Sequence, residues 1–77
     1  MKRAVIEQRL KFAERHVAES LKYVSRHERI VAKLESDGRR DSLTARAARA
    51  LLESFENELA AHLADRDRLR KHLRSAT

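Results

Sequence analysis

The four histidines are the first candidates for metal or proton chemistry in this 77-residue chain. His16 and the spacing His62-x-x-Asp65 would converge if two helices paired, giving a set of two histidines and one carboxylate. A divalent site needs fixed ligand geometry and supporting hydrogen bonds, and the edge of a helix pair offers little of either. Helical di-iron sites use two Glu-x-x-His motifs, and none occurs here. No metal or cofactor is expected.

Covalent chemistry finds no better footing. There is no Cys, no Gly-x-Ser-x-Gly elbow and no glycine-rich phosphate loop. Glu56/Glu58 and Asp65/Asp67 are paired carboxylates, but two solvated helices do not enclose a substrate. The chain reads as a non-enzyme.

Charge carries more information. The net charge is +6, and it is uneven. Lys2, Arg3, Arg9, Lys11 and Arg15 outnumber Glu7 and Glu14 at the start; Arg66, Arg68, Arg70, Lys71 and Arg74 outnumber Asp65 and Asp67 at the end. Between them, acids and bases balance. If the two ends meet, the whole surplus collects there and would attract polyanions. Arg3, Arg9, Lys11, Arg66, Arg70 and Lys71 are the candidate nucleic-acid contacts. The plainer role is solubility, together with a favourable charge at a helix C-terminus.

What would position these groups is a pair of helices. Charged residues make up 39% of the chain, aromatics 4%, with one Gly and no Pro. Ala, Leu, Glu, Arg and Lys dominate, and all favour helix. Gly38 is the one strong breaker, and Gly past the last apolar position ends a helix in the left-handed conformation. Asp41 or Ser42 then caps the next. The expectation is one all-α domain: helix 2–36, turn 37–41, helix 42–75. So short a turn makes the helices antiparallel neighbours and brings Met1 and Thr77 together.

Each helix carries a heptad seam, the coiled-coil signature. In the first, Leu10, Val17, Val24 and Val31 take position a; Ile6, Ala13, Ser20, His27 and Leu34 take d. In the second, a holds Ala45, Leu52, Leu59, Arg66 and Leu73, and d holds Ala48, Phe55, His62 and Leu69. Setting Leu10 against Leu69 and Ile6 against Leu73 puts small residues opposite large ones, as close packing requires. The same register sets Glu7 near Arg70, Glu28 near Arg49 and His16 near Asp65.

Apolar residues also lie beside the seam. Tyr23, Ile30 and Leu51 share one flank; Leu21 and Leu63 share the other; Val5 and Phe12 point outward. An apolar face wider than a and d belongs to a bundle helix. A homodimeric four-helix bundle, or docking on a helical partner protein, is therefore expected, with Tyr23, Ile30 and Leu51 as the first interface and Leu21 and Leu63 as the second. The N-terminal run MKRAVIEQRLKFAER has no apolar core, and no stretch approaches the ~20 apolar residues that cross a bilayer. The reading is cytoplasmic, with no membrane partner.

Two stretches carry a family likeness. His16-Val17-Ala18-Glu19 leads to Ile30-Val31-Ala32-Lys33-Leu34-Glu35 and Gly38; Ala48-x-x-Leu51-Leu52-x-x-Phe55-Glu56 leads to His62-x-x-x-Arg66-Asp67-Arg68-Leu69. Together they resemble small uncharacterised helical-hairpin proteins of alphaproteobacteria over most of residues 14–70. The resemblance implies a bacterial cytoplasmic hairpin and brings no activity with it.

Overall fold

The computed structural model describes residues 2–76. It contains two helices, α1 (Arg3–Ser36) and α2 (Leu43–Ser75). The juxtaposition of Met1 and Thr77 lies outside the described residues. Each helix starts one residue later than its apolar pattern suggests, because Lys2 and Ser42 have extended backbones and serve as N-caps.

The turn follows from three residues. Gly38 takes a φ of 77°, a conformation that strains any residue bearing a Cβ. There its N–H donates to Glu35 O at 3.2 Å, and Arg39 N–H reaches back to Leu34 O at 2.9 Å. This pair of bonds is the Schellman closure, which satisfies carbonyls orphaned at the end of α1. Ser42 Oγ accepts from Ala45 N–H at 3.1 Å and donates to Arg39 O at 2.7 Å, so one hydroxyl both starts α2 and ties it to the turn.

Chain reversal brings the two apolar stripes together. Every expected a and d position is buried or half-buried, from Ile6 and Leu10 to Leu69 and Leu73. Ile6, Ala13 and Leu69 form a buried cluster, with Leu10 and Leu73 packed against it, as the expected register requires. Arg66 occupies its seam position with its guanidinium on Asp67, 3.0 Å away, so the charged head stays wet while the stem is covered.

The flanking ion pairs differ from expectation. Glu7 bonds to Arg3 at 2.9 Å, and Arg70 reaches Glu14 at 3.4 Å. Arg49 approaches Glu35, not Glu28, at 3.9 Å, while Asp65 is paired with Arg68 instead of His16. Both cross-helix pairs are displaced one heptad toward the turn. Side chains lean toward the N-terminus of their own helix. In an antiparallel pair an α2 arginine therefore leans toward the turn and an α1 glutamate toward the chain ends, and they converge only when offset.

The product is a rod of 55 × 14 × 13 Å with a radius of gyration of 17.0 Å, against about 11.5 Å for a compact chain of this length. No helix among the described residues is long and apolar enough to cross a membrane.

Candidate interaction surfaces

The hairpin's two flanks have opposite chemistry. One flank carries the cross-helix ion pairs Glu14–Arg70 and Glu35–Arg49. Leu21 is exposed and Leu63 half-buried on this side, so the second expected apolar face is interleaved with salt bridges. The other flank carries Tyr23, Ile30 and Leu51, which are 49%, 41% and 50% exposed. Tyr23 and Ile30 stand two turns apart on α1 with Leu51 between their levels on α2, an apolar strip nearer the turn than the chain ends and bordered by Glu19, Lys22, Arg26 and Arg29.

Tyr23 does not stand alone. Its ring stacks on Phe55 with centroids 5.3 Å apart and planes 11° apart. His27 closes on Phe55 from the next turn of α1 at 4.6 Å, and its Nδ1 lies 2.9 Å from Tyr23 O. Phe55 is thus held between Tyr23 and His27, and the strip has an aromatic floor. The heptad pattern placed Phe55 in the seam but gave no sign of this stack; the aromatic type of residues 23 and 55 at one level was the available signal.

Toward the chain ends, the same flank holds His16 against His62, with ring centroids 5.0 Å apart and tilted by 43°. Asp65 is occupied by Arg68. Among the described residues, no three His, Asp or Glu side chains meet as metal ligands would. The suspected set of His16, His62 and Asp65 is therefore a ring pair beside a salt bridge. His16 also lines an open groove with Arg9, Phe12, Leu69 and His72.

At the chain-end tip, each acid is held by an arginine: Glu7 by Arg3, Glu14 by Arg70, Asp65 by Arg68 and Asp67 by Arg66. Three of the six expected nucleic-acid contacts, Arg3, Arg66 and Arg70, are thereby engaged within the chain. Arg9, Lys11 and Lys71 are exposed and make no ion pair among the described residues. Arg15 lies over the Phe12 ring, 5.8 Å from its centroid. Leu43 is the most exposed large apolar residue at 82%; it begins α2 outside the seam, and the periodicity gives it no role.

No family model matches this chain, and no curated protein or solved structure matches it either.

Proposed function

We propose that this protein is a non-enzymatic helical interaction module of a reducing cytoplasm, which self-associates through the Tyr23–Ile30–Leu51 flank into a four-helix bundle. Unburied area carries this reading. The hairpin exposes 5914 Å², whereas a compact monomer of 9.0 kDa exposes about 4,900 Å². The surplus of about 1,000 Å² compares with the ~800 Å² that each partner buries in an ordinary stable interface. Val24 and Val31 are buried in the seam, yet their neighbours Tyr23 and Ile30 remain half open, so the apolar face continues past what α2 covers. A small chain with no disulfide reaches useful stability by such association.

Light scattering on the wild type and on Ile30→Asp/Leu51→Asp tests this. The wild type scatters as an oligomer at micromolar concentration, and the double variant scatters as a monomer. A wild type that is monomeric and stably folded contradicts the reading.

A second reading is favoured by the tip. Its acids are already neutralised by named arginines, so Arg9, Lys11 and Lys71 keep their full charge for an outside anion. In that role the tip binds nucleic acid without sequence preference, and affinity falls steeply with salt. A mobility shift at low salt that Arg9→Gln/Lys11→Gln/Lys71→Gln abolishes supports it; no shift at tens of micromolar protein excludes it.

A further inference from the structure

The geometry points to a head-to-tail dimer: two hairpins pack through the Tyr23–Ile30–Leu51 flank with their charge-balanced segments overlapped and their basic tips at opposite poles. This inference rests on the self-association reading above and specifies its orientation and stagger.

Three features of the flank are palindromic about one level. Tyr23 and Ile30 are one heptad apart on α1, so a two-fold axis midway between them sets each Tyr23 on the partner's Ile30. Phe55 sits between Tyr23 and His27, which places its neighbour Ser54 close to that same midpoint. On the outer edge of this flank of α2 stand Ala47, Ser54 and Ala61, all exposed. Reversal about Ser54 lays Ala47 on the partner's Ala61, where small residues let the two helices approach, and sets Leu51 beside the aliphatic stem of the partner's Glu58. On the corresponding edge of α1, Glu19 and Lys33 are equidistant from Arg26. The same axis sets Glu19 of each copy against Lys33 of the other.

The charge distribution selects this orientation over its rival. Residues 16–63 have no net charge, and the whole +6 lies in residues 1–15 and 64–77. The axis lies near residue 26 of α1, displaced toward the turn. Reversal about it overlaps the neutral segments and leaves each tip protruding by about 20 Å, given ~1.5 Å of rise per residue. Packing the hairpins heads together would bring both +6 surpluses side by side, each basic tip against the other. Like-charge repulsion of that kind disfavours the wrong arrangement. Arg26 does approach its own copy near the axis, and Glu19 lines the same shallow groove beside it.

Because the chain lacks Cys, single spin labels at Gln8→Cys and Ser36→Cys read the arrangement by pulsed electron resonance. Both positions are exposed and share one outward side of α1. The head-to-tail stagger gives a long Gln8–Gln8 distance of about 55–60 Å and a short Ser36–Ser36 distance of about 30 Å, from the helical rise. Equal distances, both below about 35 Å, overturn the orientation while leaving a dimer. A monomer in the same samples overturns the self-association reading beneath it. Charge reversal gives an independent check: Glu19→Lys weakens the dimer about tenfold, and adding Lys33→Glu restores it. If the second change weakens the dimer further, Glu19 and Lys33 do not meet and the proposed axis is wrong.

Discussion

Tyr23 lies flat on Phe55, 5.3 Å away, although one residue flanks the seam of α1 and the other sits within the seam of α2. The stack joins one level of α1 to one level of α2 and provides the floor of the exposed apolar strip. It links folding of the hairpin to the surface proposed for association. Aromatic pairs of this kind contribute about 0.5–1.5 kcal/mol beyond the area they bury. A double-mutant cycle of Tyr23→Leu and Phe55→Leu, followed by urea unfolding, is expected to show coupling in that range. Additive losses would mean that the stack contributes nothing to register.

Gly38 isolates a backbone effect. A Cβ built there meets nothing within 4 Å, so Gly38→Ala adds no clash and only forces a side chain into φ of 77°. The expected loss is about 1–2 kcal/mol, read as a lower urea midpoint with unchanged helicity. Gly38→Asn is expected to lose less, since Asn tolerates this region better than Ala.

Ser42→Ala removes an N-cap and the tether to Arg39 O with one hydroxyl. A loss of about 1 kcal/mol is expected. Ser42→Asp should recover most of it by capping Ala45 N–H, which thermal denaturation of the three proteins resolves.

The ionic flank is expected to matter little to stability. Glu14 and Arg70 are each nearly half exposed, and such pairs contribute at most about 1 kcal/mol. Glu14→Gln should shift the urea midpoint far less than Leu69→Ala. The latter empties part of the buried Ile6–Ala13–Leu69 cluster, at a cost of about 2–5 kcal/mol.

Much of this arrangement was legible in the sequence. Heptad spacing identified the buried residues of α1 and α2, because burial along a helix follows a fixed angular step. Gly38 marked the reversal for a steric reason that needs no tertiary information. The cross-helix ion pairs lie one heptad from the facing positions, since facing backbone positions ignore the N-terminal lean of Glu14 and Arg70. The intrachain pairing at the tip is hidden from the sequence for a similar reason. Arg3, Arg66 and Arg70 have acids within reach, and choice among close neighbours depends on rotamers that a sequence does not display. His16 and Asp65 are on the same flank, but Arg68 claims the carboxylate first.

The most direct test is sedimentation equilibrium of the wild-type chain across low to high micromolar loading. Exposed area at Tyr23, Ile30 and Leu51 predicts a mass of twice 9.0 kDa that falls toward the monomer on dilution. A mass fixed at 9.0 kDa throughout, with full helicity and a cooperative melt, would contradict it.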